Sequence, residues 1–315
     1  MAESSLSLGR ADLLAEVAFY LGWGRTSANW TSDQSTRLQA ILNAGLRQFY
    51  FTPGHSWSFL HPVTTLTTAA AYSTGTIAIT SGVVTLTTGT WPSWAASGVL
   101  VVSGNSYSIS TRDSGSQVTL DDTSITVASG TSYEINQQDY DLPDSFGELE
   151  SDVTFAMNQA TWSIREVNEA QIRVKRQSGA NTGRPCECAI RAKTTTGVTG
   201  QRYEIMFWPT PDAAYTLSYK YTVLTDALSS SFPYPYGGMS HAETILASCL
   251  DVAERKENNM PQGPESLNYQ KRLAASISHD LRKAPKFLGY NGDPSMGGHV
   301  YERLKYVRVN SVLPG

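Results

Sequence analysis

The stretch Tyr203–Leu224, YEIMFWPTPDAAYTLSYKYTVL, carries the clearest period-2 pattern in the chain. Tyr203, Ile205 and Phe207 alternate with Glu204, Met206 and Trp208, which describes a strand with one aromatic face. Pro209-Thr-Pro-Asp212 cannot continue a ladder, because proline has no N–H to donate, so it reads as a turn. Tyr215, Leu217, Tyr219, Tyr221 and Val223 then alternate with Thr216, Ser218, Lys220 and Thr222. The whole stretch therefore reads as a β-hairpin, and helical patterns stand on both sides of it. The fold class expected from this is α+β: a helical bundle with a β-hairpin, an inserted all-β small barrel or sandwich, and an extended C-terminal tail.

The helices are read from 3.6-residue periodicity. Ala11 to Leu21 places Leu13, Leu14, Val17, Ala18 and Leu21 on one face. Ser32 or Asp33 can cap a second helix to about Phe49, because their side-chain oxygens accept the free N–H groups of its first turn. Asn168 to Arg176 reads as a short helix. Ser240, with Glu243 three residues on, has the form of a capping box for a helix to about Asn258. Glu265 to about Lys283 is the last, with Leu273, Ile277 and Leu281 forming its stripe. Ser229–Gly238, SSSFPYPYGG, is a loop rich in proline and aromatics just before the Ser240 helix.

From about Pro62 to Gln138 the composition changes to Thr and Ser, and the only charged side chains are Arg112, Asp113, Asp121, Asp122 and Glu134. Short strands at Thr76–Thr80, Val83–Thr87, Gly98–Ser103, Asn105–Ser110, Gln117–Asp121 and Ser132–Ile135 alternate with turn residues, which points to a small sandwich or barrel. Val83, Leu86, Val99, Val101, Tyr107, Ile109, Val118, Leu120, Tyr133 and Ile135 are its expected core. The domain reading is a discontinuous helical body at 1–61 and 139–288, an inserted β domain at 62–138, and a C-terminal tail at 289–315.

The 315 residues carry a formal charge of −4, which argues against general nucleic-acid affinity over the whole surface. Three cysteines are too few for a disulfide scaffold. MAESSLSLGR has no apolar signal core, and no run approaches the roughly 18 apolar residues of a membrane span, so a soluble protein made in the cytoplasm is expected.

No catalytic, cofactor or metal residues are assigned. Cys186 and Cys188 share a strand face, but a zinc site needs about four ligands and no second pair accompanies them. His55, His61, His241, His279 and His299 show no nucleophile or ligand spacing. The acidic run Asp141, Asp144, Glu148, Glu150 and Asp152 suits a solvated turn, a calcium site or a subunit contact better than paired glycosidase carboxylates. Trp91, Trp94 and Tyr107 are candidate contacts of the β module with a sugar ring, a fibre or another partner, against the plainer reading that WPSW closes a barrel end. Near the C-terminus Tyr301, Arg303, Leu304, Lys305, Tyr306, Val307, Arg308 and Val309 combine β propensity with positive charge and have no core of their own, as expected of a tail that adds to a partner's surface.

LNAGLRQFY (42–50), YDLPDSFGEL (140–149), FWPTPDAAYTLSYKY (207–221) and the paired C-terminal helices resemble the head-to-tail adaptor proteins of tailed bacteriophages. The resemblance covers roughly residues 10–60 and 140–285, and it does not extend to the inserted module. It implies a homo-oligomeric ring, a dodecamer, in the neck of a virion between head and tail. That ring would bind the portal protein through the C-terminal segment and tail tube, nozzle or fibre proteins at its other end, and would let double-stranded DNA pass. The alternative carried beside it is a tail-fibre-docking or glycan-binding module. A cell-wall hydrolase is the third reading, and it would require working carboxylates.

Overall fold

The computed structural model describes residues 3–160, 162–177, 179, 181–193 and 202–282. They form two units: one from the chain up to Ser58 together with the chain from Ala227 on, the other Phe59–Asp226.

The first unit is built from α1 (Arg10–Tyr20), α2 (Ser32–Tyr50), and two later helices, Met239–Glu257 and Pro264–Leu281. A short helix of the second unit, Glu169–Arg176, is α3, so these two are α4 and α5. α4 is the centre of the unit. It packs against α1, α2 and α5, and its buried side includes His241, Ala242, Ile245, Ala247, Ser248, Cys249, Val252 and Ala253. Its small residues let α2 approach closely, and Ser248 Oγ donates to the Gly45 carbonyl at 2.8 Å.

The helix starts differ from those expected. Thr31, not Ser32 or Asp33, caps α2, and Gln34 completes the box. α4 begins after Gly238 with no side-chain cap, so Ser240 and Glu243 form no capping box. α5 buries Tyr269, Ser276 and Asp280 rather than the Leu273, Ile277 and Leu281 stripe, and Leu281 is exposed. The α4–α5 seam is polar there: the hydroxyls of Thr244 and Ser276 are hydrogen-bonded at 2.7 Å. At its other end α5 starts on the buried Glu254 carboxylate, which accepts the N–H groups of Glu265 (3.0 Å) and Ser266 (3.3 Å), a favourable site for a negative charge.

The second unit holds all the described strands. β1 (Val63–Thr67) comes first. Then follow β2 (Ile77–Thr80), β3 (Val83–Leu86), β4 (Gly98–Val102), β5 (Asn105–Arg112), β6 (Gln117–Leu120), β7 (Val127–Thr131) and β8 (Glu134–Gln137). β2 to β8 make one curled sheet in the order β7-β2-β3-β6-β5-β4-β8. Its hairpins turn at Ser81-Gly82 and Ser103-Gly104, where both residues have positive φ, as a tight two-residue turn demands. Its core is Ile77, Ile79, Val84, Leu86, Trp91, Leu100, Val102, Ile109, Val118, Leu120, Tyr133 and Ile135. Val99 and Val101 are only partly buried, so the inward phase of β4 is one residue away from the expected one; on β3 the expected Leu86 is buried, with Val84 inward in place of Val83.

The remaining strands are β9 (Asp139–Asp141), β10 (Phe146–Leu149), β11 (Val153–Phe155), β12 (Ser163–Glu166), β13 (Thr182–Gly183), β14 (Glu187–Lys193), β15 (Arg202–Trp208), β16 (Thr210–Pro211) and β17 (Thr216–Val223). With β1 they form a second curled sheet in the order β1-β17-β11-β12-β14-β15-β9, with β10 also on β17, while β13 and β16 pair separately.

This arrangement overturns the expected fold class. The chain is not a helical bundle carrying a small inserted β domain; it is β-rich, with two curled sheets and five α-helices among the described residues. It also overturns the hairpin. Tyr203–Trp208 and Thr216–Val223 are both strands, but they do not pair with each other. β15 lies between β14 and β9, whereas β17 lies between β1 and β11, with β11, β12 and β14 separating the two. The intervening Thr210–Pro211 leaves the sheet and pairs in parallel with Thr182–Gly183. Alternation identifies a strand and its buried face; the identity of the neighbour is set by lateral pairing with segments far away in sequence.

Candidate functional site

The polar clusters that could carry chemistry are occupied by internal bonds. In the first unit the loop after α2 brings His55 and Ser58 to Asp280 of α5. His55 Nε2 lies 3.1 Å from the carboxylate, while the Ser58 hydroxyl (2.5 Å) and backbone N–H (3.0 Å) both donate to it. These are the residue types of a hydrolytic triad in an unusable order. The hydroxyl is bonded to the carboxylate, whereas nucleophilic activation needs it on the imidazole. The arrangement is a clamp holding the loop on α5, with Trp57 packed against Phe49, His55 and His241 beside it.

Burial pushes the Asp280 carboxyl up, but the bonds from Ser58 and His55 outweigh it and hold the group below its ordinary range. The clamp therefore contributes stability above the unfolded-state pKa and loses it as the pH falls through the lower folded-state value. We expect the melting temperature to fall on acidification through that window, and Asp280→Asn to lower it at neutral pH and flatten this slope. An unchanged slope in Asp280→Asn would mean that another group governs the acid transition.

In the second unit four of the five acidic-run side chains, all but Glu148, are bonded. Asp141 pairs with Lys193 and Asp144 with Arg202, both at 2.5 Å; Glu150 pairs with Lys220 at 3.1 Å and with His61; Asp152 accepts from Ser163 at 3.0 Å. A partly buried network joins Arg176 and Arg191 to Asp139, and Arg191 to Glu204. Burial pushes the Cys188 thiol up to about 12, and Cys186 is also raised by burial, so neither is a ready thiolate. Among the described residues no group of three or more His, Cys, Asp or Glu is placed to hold a metal ion.

Trp91 lies inside the β2–β8 core, 1% exposed, and its indole N–H donates to the Tyr133 hydroxyl at 3.0 Å. Its faces are covered, so it offers no stacking platform. Trp94 and Tyr107 are partly buried and pack on the same core. The structure brings all three to one module but does not set them out as a shared surface. Tyr301, Arg303, Leu304, Lys305, Tyr306, Val307, Arg308 and Val309 lie outside the described residues.

A group of exposed large side chains lies on the Ser229–Gly238 loop and the arm before α1. Arg10 N–H donates to the Pro233 carbonyl at 2.7 Å, and Ser229 and Phe232 exchange bonds of 3.1 and 3.2 Å. The Tyr50 hydroxyl donates to the Tyr236 carbonyl at 3.4 Å, and the Ser4 hydroxyl reaches Met239 Sδ at 3.6 Å. The backbone is thus held, with Pro233 and Pro235 restricting it further. The side chains are only partly covered: Leu6 and Phe232 are each 74% exposed, and Tyr234, Tyr236 and Met239 are 46%, 46% and 49% exposed, with Tyr236 edge-on to Tyr50 at 6.4 Å between ring centres. An ordered, exposed group of Phe, Tyr and Met has the composition of an interface core. Its sequence signal was present in three aromatics separated by prolines without a charge, a pattern that a reading as loop alone passes over.

Among the described residues no helix is long and apolar enough to cross a membrane. No family model matches the chain, and no curated protein matches it in sequence.

Proposed function

We propose that this chain is a structural subunit of a tailed-bacteriophage virion: a head-to-tail adaptor, made in the host cytoplasm, that forms a ring in the neck, joins the portal to the tail and lets DNA pass. The observation that carries the reading is the aromatic surface of the helical unit, ordered by its own backbone bonds yet half or more exposed at Leu6 and Phe232 and nearly half at Tyr234, Tyr236 and Met239. Monomers seldom leave so many large apolar side chains together without a partner. The resemblance of residues 42–50, 140–149 and 207–221 to phage adaptors names the kind of assembly, and the dodecamer belongs to that resemblance. The pairing of His55 with Asp280 and of His61 with Glu150, and the bonds on Asp141, Asp144 and Asp152, support a scaffold role over catalysis. The glycan-binding alternative loses its best residue with Trp91 inside a core.

The C-terminal segment is the proposed attachment to the portal. Val300, Leu304, Tyr306, Val307 and Val309 alternate with or adjoin Arg303, Lys305 and Arg308, so strand addition would satisfy backbone groups while the cations face an acidic surface. Many copies engaging together multiply small losses per copy. The test is binding of purified protein to portal, read by mass and by electron microscopy. The full chain is expected to give a ring on the portal, and a chain truncated after Tyr290 is expected to stay folded and lose binding. Unchanged binding by the truncated chain would move attachment elsewhere; a full chain that never forms a ring, alone or on portal, would overturn the reading.

A further inference from the structure

The helical unit exposes large apolar side chains at both of its ends, and the two sets differ. α4 starts beside the aromatic loop and ends at Glu257, a rise of about 28 Å for its 19 residues. α1 runs the same way, from the arm to Tyr20, whose hydroxyl lies 3.5 Å from Glu254 near the end of α4. At this far end Phe19, Met260 and Leu267 are 55%, 53% and 56% exposed. The Arg25 guanidinium sits 3.8 Å from the centre of the Phe19 ring and is held there by Glu16.

We propose that the aromatic end of one copy (Leu6, Phe232, Tyr234, Tyr236, Met239) docks on the far end (Phe19, Met260, Leu267) of the helical unit of a second copy. The proposal rests on the reading of the chain as a ring subunit and names the surfaces that would close the ring. A self-complementary patch closes a two-fold dimer, whereas a ring of more copies needs two unlike patches on every subunit. The helical unit supplies such a pair. Their chemistry is complementary: the exposed Met260 thioether packs well on aromatic rings. At about 150–250 Å² per aromatic side chain, the exposed parts of Phe232, Tyr234 and Tyr236 amount to roughly 300 Å², already the size of the largest patch on a typical monomer. With Leu6 and Met239 they would form the apolar centre of one side of an interface of about 800 Å² per partner.

The test mixes two variants whose substitutions lie on exposed side chains: Phe232→Asp with Tyr234→Asp, and Met260→Asp with Leu267→Asp. Mass measurement is expected to show each alone as a monomer and the mixture as a one-to-one dimer that grows no further, because only one sound contact remains. A second arm places cysteines at Phe232 and Met260 in a Cys186→Ser background. Oxidation should give a ladder of linked copies from the double variant and monomer from either single one. Linked dimers from the Phe232→Cys chain alone, or no ladder from the double variant, would overturn the docking. A wild-type ring that the aspartate variants leave intact would also overturn it while leaving the adaptor reading standing. A wild type that is monomeric with and without portal would remove both.

Discussion

Replacing Gly45 by alanine is expected to cost the helical unit about 3 kcal/mol or more, at or beyond the upper end of ordinary overpacking. A Cβ built on Gly45 would stand 2.6 Å from Cys249 Sγ, 2.8 Å from Cys249 Cα and 3.0 Å from Cys249 N. Two of those three atoms are backbone in the middle of α4 and cannot rotate away. Relief requires α2 and α4 to separate, which would also stretch the Ser248 to Gly45 hydrogen bond. The accompanying control is Gly45→Ala with Cys249→Ala. It removes the sulfur but not the backbone clash, so it should recover little of the loss. Chemical denaturation of the three proteins checks this. Wild-type stability in Gly45→Ala, or full recovery in the double variant, would mean that the helices do not meet this closely.

Leu217→Asp is expected to cost about 4 kcal/mol or more, through lost packing and an unpaired charge in an apolar layer. Leu217 is fully buried and Tyr219 nearly so, in a core with Phe146, Val153, Ile164, Phe207 and Tyr221. β17 also holds β1, β10 and β11, so its disruption loosens three neighbours at once. Tyr219→Asp should behave similarly. Ser218→Thr, on the opposite face of the same strand, should stay within about 0.5 kcal/mol. Equal effects at 217 and 218, measured by thermal unfolding, would contradict the alternation of burial along β17.

The sequence was informative where a signal is local. Helix existence was legible from apolar spacing, because a face buried every three or four residues leaves its mark in composition; α1 and α2 lie within a residue or two of their expected bounds. Six of the seven strands of the β2–β8 sheet were legible from their turns; β7 (Val127–Thr131) was not, because it buries no residue fully and leaves no apolar alternation. The phase of β4 was not legible either. Val99-Leu100-Val101-Val102 is apolar throughout, so nothing local distinguishes Leu100 and Val102, which are buried, from Val99 and Val101. The aromatic surface was half legible: the residues of SSSFPYPYGG stand out, but their exposure depends on what packs beneath them.

By itself, the sequence determined where most helices and strands lie, the inward face of β17, and the dense, uncharged character of the loop before α4. Tertiary structure decided the rest. It separated β15 from β17 by three strands, brought β9 to β12 and β14 into one large sheet, placed Trp91 in a core, and buried Ser276 and Asp280 on α5 in place of the leucine stripe. The physical reason is the range of the interactions. Periodicity and capping are settled within one or two turns of chain. Strand partners, the polar seam between α4 and α5, and the covering of a tryptophan depend on groups brought together from distant parts of the sequence, whose bonds and packing repay the cost of closing the loops between them.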